Sequence, residues 1–510
     1  VSFSCGGWRR PHSFYLGDDP EVNHCFTYVK DESIVVHRQW SSRSEKKTRL
    51  QNIHVQFHGR EIHTLCFLKS HDKSSSSRKS SWISTGCEDG TVRLTRYTTG
   101  IESWPSSELL GEHVGGSAVR SICMVSTMHK FSAAEDSFDD AIQDFVLLVS
   151  VGAKRVVTTW ILRDQSKDIE GEDQTDEQPV LSFKWLSSDM PRKCLTSEDD
   201  LRHLAVTAFL VKCVGSRLIV CFVVVATSDA TLTLRALVLP SRLWFDVASL
   251  GPLAAPVLSL QHFVAPYSND IDGAMRSAYL IVSGATNGCI AIWDLTKPVE
   301  NFLRKLLNFG AENLANQSRR PCTGRGSQGG RRRKSSNGRT SEKNPDNGEI
   351  KDDFSILTTH INPHLLLENV HQSGVNCLHV SDVYDTKTPP RNSVFCLASG
   401  GDDQRLHFFT FSAASDSPLQ LLSHKWVDSA HSSAIKGVWT NGRRVFSAGI
   451  DQRLRSWSFD HMGNLFEEAF LLTSVPEPEA LDAGGCDSDG YRIAVAGRGL
   501  QVIEYADFSS

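Results

Sequence analysis

Three groups of residues in this chain have types and spacing that could do chemistry: a glycine-rich segment, recurring histidine–acid pairs and clusters of cations. The glycine-rich segment matches G-x-G-x-x-G from Gly324 to Gly329, a spacing that can cradle a phosphate. Four basic residues follow it instead of an apolar helix, so the match indicates a linker. No G-x-S-x-G, H-E-x-x-H or C-x-x-C motif occurs. We therefore predict a protein that is not an enzyme and binds no cofactor, metal or small-molecule substrate.

The recurring pairs consist of a histidine shortly before an apolar run and an acid in the turn that follows. The histidines are His58, His371 and His431, and the acids are Asp89, Asp403 and Asp451, with Asp229 in the same position of a further copy. A tryptophan ends several copies, at Trp160, Trp293 and Trp457. Imidazoles and carboxylates serve in proton transfer and metal binding, so the role of these pairs depends on the elements that carry them.

Those elements are short β-strands in a unit that repeats along the chain. Each copy has an apolar strand, a tight turn with small residues and Asp or Asn, and a second strand. The copies lie at 82–97, 145–162, 218–237, 279–295, 394–411, 444–459 and 491–505. Repeated units of three or four antiparallel strands at this spacing are typical of a β-propeller.

We predict an all-β fold in which residues 1–510 form a single propeller of seven blades. The blades are expected near 54–97, 113–162, 203–237, 257–295, 371–411, 431–459 and 480–505. Strands at 22–39 are expected to close the ring by completing the last blade, because that pairing would remove two exposed sheet edges. Six or eight blades are the alternatives, because the first strand of the third unit is indistinct.

Two insertions between the blades have strongly biased charge. Residues 164–198 are predicted to form an acidic loop, with seven Asp or Glu against one Lys in 164–177. Residues 299–366 are predicted to be a basic disordered insertion, with seven Arg and two Lys against one Glu in 318–343. The whole chain has a net charge of −5, so any contact with RNA must come from a local patch.

Two sets of residues are candidate contacts for RNA or a partner. The basic insertion offers Arg319, Arg320, Arg325, Arg331, Arg332, Arg333 and Lys334 to phosphates. Its alternatives are a solvated loop, a nuclear-localisation signal and phosphorylation at Ser335 and Ser336. The opening segment offers Trp8, Arg9, Arg10 and His12, because aromatic rings interleaved with cations can stack on bases and hold phosphates. The alternative there is packing of the aromatic rings on the propeller edge.

The remaining composition indicates a chain without a membrane span. The longest apolar run, 218–226, has nine residues, whereas a transmembrane helix needs about twenty. The thirteen cysteines are nowhere closer than eight residues apart, which favours free thiols in a reducing compartment over disulfides or zinc. The chain begins with Val and shows no leader pattern, so we expect a cytoplasmic fragment of a longer protein.

The repeats resemble those of the WD-repeat family. The dipeptide Trp293–Asp294 matches the family's signature, and Trp160 and Trp457 hold the Trp position without the Asp. In other copies the Trp is replaced, by Thr95, Arg235 and Phe409, and the turn acid is replaced, by Asn287 and Lys154. The resemblance implies a WD40-type β-propeller in which each turn acid binds the histidine of its own blade, a structural role instead of catalysis or metal binding.

Six segments together resemble the carboxy-terminal part of the WD repeat-containing protein 6 family: 4–14, 58–67, 86–94, 285–295, 447–457 and 496–505. The opening CGGWRRPHSF and the closing GRGLQV are the most specific, since an ordinary propeller needs neither. The resemblance implies a non-catalytic subunit that partners an FtsJ-like methyltransferase in 2′-O-methylation of the wobble ribose of tRNA, with tRNA in direct contact. The alternative is a general protein-interaction propeller in signalling, trafficking or ubiquitin-ligase adaptation, without a role for RNA.

Overall fold

Short β-sheets make up nearly all of the part of the chain that the computed structural model describes. That part comprises four strands between residues 12 and 55, and residues 58–68, 80–98, 107–113, 117–131, 146–164, 181–189, 201–268, 275–309, 359–382, 392–414, 419–486 and 490–506. The four strands are β1 (His12–Phe14), β2 (Val22–Lys30), β3 (Ser33–Trp40) and β4 (Arg49–Val55), which pair in that order in a sheet of their own.

Seven further sheets follow, each with its strands in order from the inner to the outer edge. Blade 1 contains β5 (Ile62–Leu68), β6 (Ser80–Cys87), β7 (Thr91–Thr98) and β8 (Ser107–Glu112). Blade 2 contains β9 (Val119–Val125), β11 (Leu147–Gly152), β12 (Val156–Asp164) and β13 (Leu181–Asp189). Blade 3 contains β14 (His203–Cys213), β15 (Ile219–Thr227), β16 (Leu232–Leu239) and β17 (Leu243–Leu250).

The remaining blades have the same layout. Blade 4 contains β18 (Val257–Ser268), β19 (Met275–Ala285), β20 (Ile290–Asp294) and β22 (Leu365–Leu367). Blade 5 contains β23 (Val375–Asp382), β24 (Asn392–Gly401), β25 (Leu406–Ala414) and β26 (Gln420–Val427). Blade 6 contains β27 (Ile435–Thr440), β28 (Val445–Gly449), β29 (Arg453–Phe459) and β30 (Leu465–Leu472). Blade 7 contains β31 (Ala480–Cys486), β32 (Gly490–Gly497) and β33 (Gly499–Ala506).

Two short strands widen blade 3 through parallel pairing. The strand β10 (Met128–Phe131) pairs with β14, and β21 (Thr359–Ile361) pairs with β17. Among the described residues, the one helix is α1 (Thr296–Phe309), which is too short to cross a membrane.

The seven sheets form a closed ring. The inner strands contact one another in the order β5, β9, β14, β18, β23, β27 and β31, and β31 contacts β5 again. At this closing junction the Phe67 backbone N–H donates to Asp482 Oδ2 at 2.8 Å, and Ile62 and Ile83 of blade 1 pack with Ala496 of blade 7. The all-β propeller predicted from the sequence is confirmed.

The predicted closure by strands at 22–39 is wrong. The strands β2 and β3 pair with each other and with β1 and β4, while the described part of blade 7 has three strands. Only two residues separate β2 from β3, so the local hairpin closes a far shorter loop than pairing with the distant last blade would.

The two predicted insertions are shorter than expected, because parts of both fold. Within the acidic loop expected at 164–198, β13 is the outer strand of blade 2, with Leu186 buried. The basic insertion expected at 299–366 contains most of helix α1. It also contains β21 and β22, which add strands to blades 3 and 4. Helix α1 buries one face, Val299, Phe302, Leu303 and Leu306, in the core of blades 3 and 4.

Candidate functional site

In blade 6 a chain of hydrogen bonds joins a histidine, an acid, a serine and a tryptophan. His431, just before β27, has Nδ1 2.9 Å from Asp451 Oδ1 and Nε2 2.8 Å from Ser447 Oγ. Trp457 on β29 donates its Nε1–H to the same Ser447 oxygen at 2.8 Å. Asp451 also accepts the backbone N–H of Ser432 at 3.0 Å. These bonds tie the segment ahead of the blade to two of its strands.

Blade 5 has the same arrangement without the tryptophan. His371 has Nδ1 2.8 Å from Asp403 Oδ1 and Nε2 3.0 Å from Ser399 Oγ. Phe409 stands where blade 6 has Trp457, and a phenyl ring has no N–H to donate.

In blade 1 a threonine lies between the histidine and the acid. His58 has Nδ1 2.9 Å from Thr91 Oγ1, and that hydroxyl lies 2.6 Å from Asp89 Oδ1. The direct distance from His58 Nδ1 to Asp89 Oδ2 is 3.5 Å. The structure thus brings this predicted pair together through a bridging hydroxyl.

Blades 2, 3 and 4 keep only parts of the network. Trp293 of blade 4 donates its Nε1–H to Ser283 Oγ at 2.9 Å. Trp160 of blade 2 is buried beside His113, with ring centroids 6.1 Å apart. Asp229 of blade 3 accepts the Thr231 hydroxyl at 2.7 Å and shapes its own turn.

Blade 3 contains a buried histidine that the sequence analysis did not single out. His203 Nδ1 lies 3.4 Å from Thr227 Oγ1. His203 begins β14, whereas His58, His371 and His431 precede their strands by four positions. In the same blade Arg235 takes the Trp position and forms ion pairs with Asp246 of its own blade and Asp189 of blade 2. At this position the ion pair of Arg235 with Asp189 joins blades 3 and 2, whereas Trp293 and Trp457 each bond to a serine of their own blade.

Burial keeps the imidazoles of these networks neutral. Burial lowers the pKa of His371 and His431 more than the neighbouring carboxylates raise it. Burial acts to raise the pKa of Asp403 and Asp451, but hydrogen bonds from the two histidines and from backbone N–H groups hold it below its usual range. Both nitrogens of His371 and of His431 are engaged, so the geometry supports a structural role.

Blade 5 also contains two imidazoles that have no counterpart in blade 6. His407 lies on β25 at the position where β29 has Arg455, and its Nδ1 is 2.9 Å from His424 Nε2 on β26. Its ring centroid is 4.5 Å from that of His371. His407 Nε2 is buried and has no hydrogen-bond partner among the described residues. Burial, together with the neighbouring His371 and His424, lowers the pKa of His407 to about 3.

Two groups in the described part of the chain have ligand atoms close enough to hold a metal ion. One consists of His371, Asp403 and His407, and the other of His58, Cys87 and Asp89; within each group the ligand atoms lie within 4.8 Å of one another. In each group the histidine of the histidine–acid pair, His371 or His58, has hydrogen-bond partners at both nitrogens. Burial also raises the pKa of the Cys87 thiol in the second group, and a neutral thiol is a poor metal ligand. Neither group therefore offers three free donor atoms.

The outer strands of blades 5 and 6 expose large apolar side chains. On and next to β26 and β30, which contact each other, the exposed ones are Leu421, Leu422, Trp426, Met462, Phe466, Phe470, Leu471 and Leu472. Trp426 is 54% and Phe470 58% exposed, which is unusual for rings of this size. We call this set the outer apolar surface. Apolar patches of this kind are typical of protein-interaction sites.

No family model matches the chain, but curated proteins match parts of it. A Rattus norvegicus protein is 25% identical over 249 residues, which are 46% of this chain and 17% of that protein. A Bos taurus protein is 28% identical over 246 residues, with the same coverage, and a Homo sapiens protein 28% identical over 159 residues, 28% of this chain and 13% of that protein. Each is named a tRNA (34-2′-O)-methyltransferase regulator WDR6. The chain is a β-propeller similar in sequence to these regulators.

The resemblance found in the sequence is thus confirmed, and it concerns a small part of the relatives. This chain spans less than a fifth of the length of each regulator it matches. A solved structure, the computationally designed Ika8 protein, aligns over 88% of this chain and 97% of that chain, at 12% identity and a TM-score of 0.36.

The predicted nucleic-acid contacts of this chain lie almost entirely outside the described residues. These are Trp8, Arg9, Arg10, Arg319, Arg320, Arg325, Arg331, Arg332, Arg333 and Lys334. The exception is His12, which begins β1 and whose backbone is paired with that of Thr27.

Proposed function

We propose that this chain is a non-catalytic propeller subunit that partners an FtsJ-like methyltransferase in 2′-O-methylation of the tRNA wobble ribose in the cytoplasm. The observation that carries the proposal is the similarity to proteins named as regulators of a tRNA (34-2′-O)-methyltransferase, on a fold that serves as a scaffold. The match covers under a fifth of those proteins, so we propose that this chain performs only part of the regulator's function.

The proposed mechanism is positional. One surface of the ring binds the methyltransferase, and basic residues hold tRNA so that the wobble ribose enters the active site of the enzyme. Holding two reactants in the correct geometry can lower a barrier by several kcal/mol without a catalytic residue on the scaffold. The residues proposed to hold phosphates are those of the basic insertion, Arg331, Arg332, Arg333 and Lys334.

The outer apolar surface is the part of the described molecule that best fits a protein partner, and we assign it to the methyltransferase. Replacing both Trp426 and Phe470 by Ser removes two exposed rings without opening the core. We expect this double variant to lose most co-precipitation of the enzyme. Trp185, an equally exposed ring on the outer strand of blade 2, is the matched control, and Trp185→Ser should retain binding.

The deciding experiment is reconstituted methyl transfer. A purified FtsJ-like methyltransferase from the same organism receives tRNA with this chain, with the longer protein that contains it, or with neither. Activation of wobble-ribose methylation by the longer protein supports the proposal, and the reaction with this chain shows whether this propeller alone is sufficient. An unchanged rate, with no binding of the enzyme by either form, would reject it.

A general protein-interaction propeller is the second candidate, because the outer apolar surface needs no RNA to explain it. Salt-dependent tRNA binding separates the two functions. On the first, replacing the four residues Arg331 to Lys334 by Gln weakens tRNA binding and lowers the slope of log K against log salt by up to about four. On the second, tRNA binding is absent or unaffected by these changes.

A further inference from the structure

Helix α1 has a stripe of cations and amides on the side that faces solvent. The exposed residues of the helix are Lys297, Asn301, Arg304, Lys305 and Asn308. Their spacing of i, i+4, i+7, i+8 and i+11 places them on one face, opposite the apolar face that is buried in blades 3 and 4. The docked helix therefore presents a polar, cationic surface along its whole length.

Two arginines of blade 3 lie beside this helix. The register of β14, β15 and β16 places the β14–β15 turn and the β16–β17 turn at the same end of the blade. Leu218 and Leu243, at the ends of these turns, pack in or against the hydrophobic cluster that contains the buried face of α1. Arg217 and Arg242 directly precede these leucines and are exposed. The two turns thus add cations to the surface of the helix.

Four of these cations have no neutralising partner in the described part of the chain. The four residues, which we call the basic helix surface, are Arg217, Arg242, Lys297 and Lys305. The acids nearby already have partners, since Glu300 forms an ion pair with Arg304 at 2.9 Å and Asp246 forms one with Arg235 at 2.9 Å. The basic helix surface therefore carries a net positive charge that is available to an anionic partner.

We infer that the basic helix surface binds the phosphate backbone of a folded RNA without reading its base sequence. The inference rests on the proposed function, which identifies this RNA as tRNA. Lysine and arginine provide most contacts to phosphates, and amides such as Asn301 and Asn308 add hydrogen bonds to phosphate and sugar. Lys297 and Lys305 are eight residues apart, a rise of about 12 Å, so the helix can contact more than one phosphate.

The surroundings of the helix favour RNA over a membrane as the anionic partner. A helix that lies on a membrane needs an exposed apolar face, and the apolar face of α1 is buried in the core. The sequence distance to the basic insertion also favours RNA. Phe309, the last residue of α1, is ten residues before Arg319, a distance of at most about 35 Å along the chain.

The test is tRNA binding by this chain, measured by fluorescence anisotropy over a range of salt concentrations. We expect Lys297→Gln with Lys305→Gln to weaken binding about tenfold near 0.1 M salt and to lower the slope of log K against log salt by about two. Arg217→Gln with Arg242→Gln should have the same effect. Glutamine suits the φ of 60° at Arg242, because Gln404 already has a φ of 67°. Two tRNAs of different sequence should give equal losses.

The matched control is Lys184→Gln with Arg443→Gln. Both side chains are exposed, they belong to blades 2 and 6, and their replacement removes the same charge. This control should keep the affinity and the salt slope of the parent. Absence of tRNA binding by the parent, unchanged binding in both test pairs, or an equal loss in the control would overturn the inference. Binding to phosphatidylserine vesicles that only the test pairs abolish, with tRNA binding unchanged, would assign the surface to a membrane instead.

The methyl-transfer experiment decides the proposed function separately. If the test pairs weaken tRNA binding but the longer protein does not activate the methyltransferase, the RNA-binding surface is supported and the proposed function is rejected. If the longer protein activates methylation and the test pairs bind tRNA as the parent does, only the inference about the basic helix surface is rejected.

Discussion

A single serine hydroxyl joins three parts of blade 6, and its removal should be more costly there than in blade 5. Ser447 Oγ accepts the N–H of Trp457 and lies within hydrogen-bond distance of His431. We expect Ser447→Ala to lower the free energy of unfolding by about 1–3 kcal/mol, because it leaves a buried indole N–H unpaired. Urea denaturation followed by tryptophan fluorescence measures the loss.

The matched control is Ser399→Ala in blade 5. Ser399 Oγ lies within hydrogen-bond distance of His371 Nε2, but Phe409 stands at the position of Trp457 and has no N–H to donate. Ser399→Ala therefore leaves only the imidazole without its partner, whereas Ser447→Ala leaves both an imidazole and an indole. The cost should be smaller than that of Ser447→Ala. Equal costs in the two blades would show that the tryptophan bond contributes nothing to stability.

Buried histidines should make the stability of this protein fall in mild acid. Burial lowers the pKa of His113 and of His203 to about 4, from an unfolded value near 6.5. Because the folded pKa is depressed, the unfolded chain binds more protons between these values. The stabilisation is complete above pH 6.5 and is lost as the pH falls towards 4. Each histidine should account for about 2 kcal/mol between pH 7.5 and pH 5.

The measurement is urea denaturation at pH 7.5, 6 and 5. Replacing His113 or His203 by Gln should remove that histidine's contribution to the pH dependence of the free energy of unfolding. The double variant should remove both contributions. A free energy of unfolding that is constant from pH 7.5 to pH 5 would contradict the burial of these imidazoles in neutral form.

At the scale of elements, helix α1 stabilises the junction of blades 3 and 4. Phe302 is 2% exposed and packs at 5.7 Å, edge to face, on Phe222 of blade 3. Phe302→Ala should lower the free energy of unfolding by about 3–5 kcal/mol, because it leaves a cavity under the helix. Lys305→Ala, on the exposed face of the same helix, is the control and should change stability by under about 0.5 kcal/mol. Similar losses for both would mean that the helix is not docked.

The first three strands of each blade are predictable from sequence because one face or both faces are buried. Strand β15, for example, is buried along eight of its nine residues and reads as one continuous apolar run. The outer strands are not predictable in this way. Strand β30 exposes seven of its eight residues, so nothing in its pattern separates it from a loop. The outer strands β8, β13, β17, β22, β26 and β30 all lie between the predicted blade ranges.

The contacts of the candidate site also differ in how far the sequence predicts them. The pairs His371–Asp403 and His431–Asp451 can be predicted from the sequence because each lies within one copy of the repeating unit. The contact of His407 with His424 depends on the register of β25 with β26, which contains a bulge between Thr410 and Phe411. Sequence spacing does not encode that register, although the position shared with Arg455 is visible once blades 5 and 6 are aligned.

At the scale of the whole molecule, the ring depends on the junction between its first and last blades. In a repeat architecture each unit is stabilised mainly by its neighbours, so opening this junction exposes two blades at once. Asp482 on β31 holds the junction by accepting the Phe67 N–H at 2.8 Å. We expect Asp482→Ala to speed amide hydrogen exchange in β5, β6, β31 and β32 while leaving β18 to β20, on the opposite side of the ring, unchanged. Asp482→Asn keeps an oxygen acceptor and should stay close to the parent. A uniform rise in exchange around the ring would mean that the propeller opens as one cooperative unit and that this junction is not its weak point.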